Sequence, residues 1–249
     1  MSRGGRARAR SIARWAIAAV ALAAAHAAIA GSFEVNPIRV DLSSAARSAA
    51  LTVRNNGAEP VVVQISVQSW SQRNGADVLE ATNDVLASPP IATIAPDKEQ
   101  IVRVGLRRAP DAAKELSYRL FLQEVPPPPR PGFQGLQVAL RVGLPIFVRP
   151  ASGPAKAALV WNAELRDGAI ALKVANRGSG HVQISDVQVF AANGKEPIAA
   201  VSQLVYVLPG QSRDWSLKLT REGVNKNDTV QLKVSTDAGI IDTRIGLAP

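Results

Sequence analysis

From Phe33 onward, apolar and polar residues alternate with a period of two in short runs punctuated by Gly, Pro, Asn and Asp. The runs read "FEVNPIRVDL", "AALTVRNNGAEPVVVQISVQSW", "EQIVRVGLRR" and "LSYRLFLQEVP", then "ALVWNAEL", "AIALKVANRGSGHVQISDVQVF", "VYVLPGQSRDWSLKL" and "DTVQLKVSTDAGIIDTRIGL". Such alternation places one side chain in two on a buried face, which is the pattern of half-buried strands. Helix-period segments of useful length are missing. Many short strands separated by turn signals predict an all-β chain of sandwich or barrel type.

One run is longer than the rest. In "GLQVALRVGLPIFVRP", Gly135 to Pro150, every even position is apolar: Leu136, Val138, Leu140, Val142, Leu144, Ile146 and Val148. Pro145 cannot donate to a ladder on both sides, so the strand is expected at a sheet edge. Long apolar edges invite pairing with other chains, and most proteins blunt them. A bulge at Pro145 would flip the face of the residues after it. The preceding stretch "EVPPPPRPGFQG" contains four consecutive prolines, which form stiff polyproline II. It reads as a projecting loop that holds the start of the strand away from the body.

A motif recurs. Leu51-x-Val53-x-Asn55-x-Gly57 is matched by Leu172-x-Val174-x-Asn176-x-Gly178, each followed by a second apolar strand. A turn proline also precedes a strand in each half, Pro96 and Pro209. Two copies of one sandwich module are expected, parted at "RPASGPAKA", with domains over 31–151 and 155–249.

Residues 1–30 stand apart. Arg3, Arg6, Arg8, Arg10 and Arg14 precede the apolar run "WAIAAVALAAAHAAIA", which ends in an A-x-A pattern. This reads as a secretory signal peptide cleaved after Ala30. The run is short for a membrane span, and an uncleaved anchor is the alternative. The five leader arginines account for five of the net charge of +9, leaving +4. The remaining basic residues are scattered and lack aromatic interleaving, so no nucleic-acid partner is expected.

Candidate chemistry is sparse. The chain has no cysteine, which excludes thiol nucleophiles and cysteine ligands. Of its two histidines, only His181 lies outside the leader, so a histidine zinc site is not expected. His181 reads as a surface residue beside a turn. No nucleophile elbow, phosphate loop or dinucleotide fingerprint occurs. No enzyme activity, cofactor or metal is expected.

Taken in order, "VNPIRVDLSS", "LTVRNNGAEPVVVQISV", "SPPIATIAPDKEQIVRVGL", "YRLFLQEVPPPP", "IFVRP", "LKVANRGSGHV", "VLPGQS" and "STDAG" resemble the PapD-like periplasmic chaperones of pilus and fimbria assembly. "EQIVRVGLR" and "YRLFLQEVP" are most similar to the archaic branch. The resemblance implies two immunoglobulin-like β-sandwiches at an angle, with a cleft between them. It also implies donor-strand complementation: the chaperone lends an edge strand to a subunit lacking one, and an outer-membrane usher later exchanges it. The donors would be Leu136, Val138, Leu140, Val142 and Leu144. Burying one such side chain contributes roughly 1.5–3 kcal/mol, so four or five of them supply on the order of 6–15 kcal/mol before ordering costs.

The resemblance further implies two basic residues that anchor the subunit's terminal carboxylate. Arg39 matches the first. The family's usual lysine falls on Pro145, so Arg119 or Arg141 is the candidate second anchor, arginine being suited to hold a carboxylate bidentately. An interdomain charge network is implied at Glu124, Arg149 and Asp237. The expected partners are pilus or fimbrial subunits and the usher, in the periplasm, with no membrane insertion after signal cleavage. Two other classes compete with this reading. An exported adhesion or structural protein is disfavoured by complete modules that start almost directly after the leader. A glycan-active enzyme needs two carboxylates held across a cleft, and the acids here form no such pair in sequence.

Overall fold

A computed structural model describes residues 33–128, 138–192, 194–221 and 224–248. Every regular element among them is a strand. The first group is β1 (Phe33–Asn36), β2 (Val40–Leu42), β3 (Ser48–Asn55), β4 (Val61–Arg73), β5 (Ala76–Ala81), β6 (Val85–Ser88), β7 (Ile91–Ile94), β8 (Glu99–Leu106), β9 (Leu116–Glu124) and β10 (Arg141–Val148). The second is β11 (Leu159–Arg166), β12 (Ala169–Asn176), β13 (Val182–Ala191), β14 (Pro197–Val207), β15 (Ser212–Lys218), β16 (Thr229–Thr236) and β17 (Gly239–Ala248).

In the first group, β1-β3-β8-β6 form one sheet and β2-β10-β9-β4-β5 another, with β7 also on β4. The chain leaves the first sheet after β1 and enters the second at β2. Alternate residues of both sheets fill one core, including Val53, Val63, Val102, Leu120, Leu122, Ile146 and Val148. The second group runs β14-β13-β16-β17-β11-β12-β15 around a separate core of Ile170, Leu172, Ile184, Leu232 and Val234. Two-residue hairpins close β4 to β5 at Asn74-Gly75 and β11 to β12 at Asp167-Gly168, all four residues with positive φ. That conformation matches strand twist, and Asn-Gly and Asp-Gly tolerate it best.

The repeated motif has a shared job in the two halves. Asn55 and Asn176 are both buried. Asn55 Oδ1 accepts the Gly57 N–H at 2.8 Å, and its Nδ2 donates to the carbonyls of Glu59 and Ile94. Asn176 Oδ1 accepts the Gly178 N–H at 2.9 Å, and its Nδ2 donates to Gly180 and Val207. Each asparagine therefore ties its turn to a distant strand and satisfies buried backbone groups that no ladder reaches.

A third, smaller apolar cluster joins the two halves: Trp70, Phe147 and Leu208, with Tyr206 packed against them. Gln72, also buried, crosses the same joint. Its Oε1 accepts the Leu208 N–H at 3.0 Å, and its Nε2 donates to the Tyr206 carbonyl and Asp77, both at 2.9 Å.

Candidate functional site

β10 is an edge strand over only half its length. β9 pairs with all of it, from Arg141 opposite Gln123 to Val148 opposite Leu116. β2 covers the other side only at Ile146–Val148. The register with β9 is unbroken, so the bulge expected at Pro145 does not form.

Hydrogen-bond parity fixes which groups face the open edge. The Glu124 N–H donates to the Leu140 carbonyl at 2.8 Å, so even residues of β10 point their backbone groups at β9. The Arg149 N–H donates to Leu42, so odd residues point the other way. The open edge therefore carries the N–H and C=O groups of Arg141 and Gly143, while by the same parity the Pro145 carbonyl faces Val40 of β2. The N–H that Pro145 lacks would have faced this edge, which is why proline is tolerated inside the strand.

The even side chains grade along the strand. Val138, just before β10, is 62 % exposed, while Leu140 and Val142 are half-buried against the first core. Leu144 is 4 % exposed and lies inside that core. This corrects Leu144 as a donor: its side chain faces sheet β1-β3-β8-β6 and offers no surface to a partner. Leu136 lies outside the described residues.

The odd face of β10 leads to the joint. Pro145 is directly opposite Arg119, so the two share a face. The Arg119 guanidinium carbon lies 3.7 Å from the Trp70 ring centroid and 5.4 Å from that of Tyr206. Its side chain is 18 % exposed, with one carboxylate, Asp77, at 4.0 Å. Burial pulls its affinity for a proton below the ordinary arginine range despite the charge of Asp77. It stays charged, but one distant carboxylate is weak compensation for a buried cation. Arg141 sits nearer the open edge, 4.1 Å from the Phe121 ring centroid.

Arg39 immediately precedes β2, on the other flank of Pro145. It bonds Asp41 at 2.9 Å, faces Asp237 at 3.8 Å and lies 5.0 Å from the Phe147 ring centroid. Burial works to lower its proton affinity, but the hydrogen bond and charge of Asp41, with Asp237 and Glu115, outweigh it and raise it. Arg39, Arg149, Glu115, His181 and Asp237 line a cleft of about 820 Å³ between the halves.

The expected network of Glu124, Arg149 and Asp237 does not assemble. Antiparallel pairing puts Glu124 opposite Leu140, at the far end of β9 from Val148 and Arg149. There Glu124 Oε2 accepts the Leu140 N–H at 3.2 Å and steadies the start of the edge. Arg149 is exposed, and among the described residues it makes no ion pair. Asp237 accepts the Gln183 N–H and faces Arg39 and His181.

The residues at the joint are ones that sequence reading passed over. Glu115, just before β9, occupies the place expected for Glu124. His181 is not a surface histidine: its side chain is 5 % exposed and its ring stacks on Phe147, centroids 3.5 Å apart. The signal for Phe147 was an aromatic on the otherwise polar odd face of the alternation. For His181 the repeat misdirects, since the equivalent position in the first copy is the exposed Pro60.

Among the described residues no group of His, Cys, Asp and Glu could hold a metal ion, and no helix is long and apolar enough to cross a membrane.

Residues 32–154 match the family described as "Pili and flagellar-assembly chaperone, PapD N-terminal domain". Among curated proteins, no sequence matches. Solved structures with the same fold include a chain of the CsuC–CsuE chaperone–tip adhesion subunit pre-assembly complex from the archaic Csu pili of Acinetobacter baumannii, with TM-score 0.65, 19% identity, and coverage of 87% of this chain and 98% of that one. A chain of the Salmonella enterica SafA pilin–SafB chaperone complex gives TM-score 0.61 and 19% identity over 90% and 99%. The Pseudomonas aeruginosa CupB2 chaperone gives 0.55 and 18% over 86% and 100%.

Proposed function

Because residues 32–154 belong to the PapD N-terminal domain family of pilus and flagellar assembly chaperones, we propose that this chain stabilises pilus or fimbrial subunits by strand donation and hands them to an outer-membrane usher. The work is done in the periplasm after removal of residues 1–30, and it is binding and release rather than bond chemistry. The solved CsuC–CsuE and SafA–SafB complexes pair chaperones of this fold with a tip adhesin subunit and a pilin, which supports subunits as the partner class. Assignment to the archaic branch rests on "EQIVRVGLR" and "YRLFLQEVP", and the Csu match agrees with it.

The observation that carries the proposal is the half-covered strand β10. Its open edge holds backbone groups at Arg141 and Gly143 that no strand among the described residues pairs, beside a row of apolar side chains that becomes more exposed toward Val138. Strand addition needs both: backbone groups give pairing, and alternate side chains fill the partner's open core. We take Val138, Leu140 and Val142 as donors, with Leu136 as the next in phase. We assign the carboxylate anchor to Arg39 and Arg119, which flank Pro145 and so stand in for the missing lysine. Arg141, at the open edge and stacked on Phe121, is better placed to steady the donor strand. We also take the two cores as separate domains, 31–151 and 155–249.

The test is co-expression of the mature chain with exported β-rich proteins encoded beside it, then sizing of purified species. A one-to-one heterodimer lost in V138E/L140E is expected. No captured partner, together with loss of stability of the lone double variant, would overturn the proposal in favour of an adhesion or structural role.

A further inference from the structure

Glu115 is a carboxylate with a side chain only 5 % exposed, and its hydrogen-bond partners both belong to His181. Its Oε1 accepts the His181 N–H at 3.1 Å and meets the ring Nδ1 at 2.6 Å. A buried carboxylate needs a counter-charge. The other ring nitrogen, Nε2, is buried without a hydrogen-bond partner and lies 3.8 Å from Asp237 Oδ2. A neutral imidazole would set a lone pair against one of these two carboxylates. An imidazolium sets an N–H toward each.

We propose that His181, carrying two ring protons, is a proton-dependent clasp of the interdomain joint and the positioning residue for Arg39. His181 and Asp237 belong to the second half and Glu115 to the first, so the bonds from His181 to Glu115 span the joint while Asp237 holds the other side of the ring. His181 reaches Arg39 by two routes: Asp237 faces both cations, and the Phe147 ring stacks on His181 while Arg39 lies 5.0 Å from its centroid. The remaining charged or titratable groups around the ring are Tyr206, at 5.8 Å between centroids, and Asp41, Arg149 and Lys156 on the cleft wall. Histidine changes charge between about pH 5 and 8. Only the doubly protonated ring sets an N–H toward both carboxylates, so the clasp is complete with two ring protons and loses one of its two contacts with either proton. Its effect on Arg39 as a carboxylate anchor rests on the chaperone reading; the clasp itself does not.

The free mature chain suffices for the test, and His181 is its sole histidine, so ring ¹⁵N resonances need no assignment. They are followed from pH 5.5 to 8.5, alongside small-angle scattering and melting temperature. The wild type is expected to show both ring nitrogens protonated at pH 5.5. Its scattering profile should broaden, and its melting temperature fall by about 2–4 °C more than that of H181Q, as the ring deprotonates. H181R, with a permanent charge, is expected to hold its shape across the range. A neutral ring at pH 5.5, or wild-type shape and melting that follow H181Q at every pH, overturns the clasp. Because no subunit is used, neither result bears on strand donation.

Discussion

Replacing Gln72 by leucine removes the polar bridge of the joint while nearly preserving volume. Two groups lose their partner: the Leu208 N–H, bonded at 3.0 Å, and the Tyr206 carbonyl, bonded at 2.9 Å. Leu208 is buried, so water does not replace Gln72 there, and one unsatisfied buried group costs about 1–3 kcal/mol. The Tyr206 carbonyl keeps a contact from Arg213 Nε at 3.4 Å, which holds its penalty near the lower end. The third bond, to Asp77, is less damaging because Asp77 keeps Arg213 at 2.9 Å. The sum is about 2–4 kcal/mol, a large share of a typical 5–15 kcal/mol stability. Urea unfolding followed by tryptophan fluorescence measures it, since Trp70 lies in the same joint. The wild type is expected to unfold as one cooperative unit and Q72L as two, with the first transition shifted to lower urea. A Q72L stability within about 0.5 kcal/mol of wild type would show that the apolar cluster alone sets the joint.

The two turn glycines of the repeat should respond differently. A Cβ on Gly178 would stand 2.1 Å from the Lys156 carbonyl oxygen and 2.5 Å from the Ala158 nitrogen, whereas on Gly57 it meets only Asn55 Oδ1, at 3.1 Å. G178A is expected to cost more than about 3 kcal/mol and G57A less than about 1 kcal/mol by denaturant unfolding; equal costs would contradict the packing. Burial pushes the Tyr118 phenol above its ordinary range, and its hydrogen bond to Asp84 at 3.0 Å adds to this. The folded state then holds that proton more tightly than the unfolded state, so this stability is intact below about pH 10 and falls as pH rises further. Y118F is expected to lose less stability than wild type between pH 9 and 11, and equal losses would refute the assignment.

Most strands were legible because alternation is a local signal, but the short β5, β6 and β7 and most of β14 were not among the runs it marked. It also marked β10 as an edge, through Pro145. What alternation does not carry is how far the core extends along a strand. Leu144 and Val138 are in phase and equally apolar, yet the first core encloses one and leaves the other in solvent. The joint was less visible still, because it is assembled from positions far apart in the chain. Glu115 and Glu124 bound the same strand, and only the pairing direction of β9 and β10 decides which of them reaches the joint and meets His181. His181 follows a Gly-rich turn that reads as surface in isolation; the Phe147 ring covers it from the other half. Arg39 and Arg119 enter only through the resemblance; the pairing of β2 and β9 with β10 sets them on the two flanks of Pro145.

Strand donation is tested most directly at the backbone of β10. Amide hydrogen exchange, read residue by residue by NMR, separates the two edges. In the free chain the N–H groups of Val142 and Leu144, which face β9, should exchange slowly, and those of Arg141 and Gly143, which face the open edge, should exchange fast. In a purified complex with a subunit, Arg141 and Gly143 should become slow as well, while Val142 and Leu144 stay slow. Fast exchange at Arg141 and Gly143 in that complex would mean that the subunit is held elsewhere, and the account would fail.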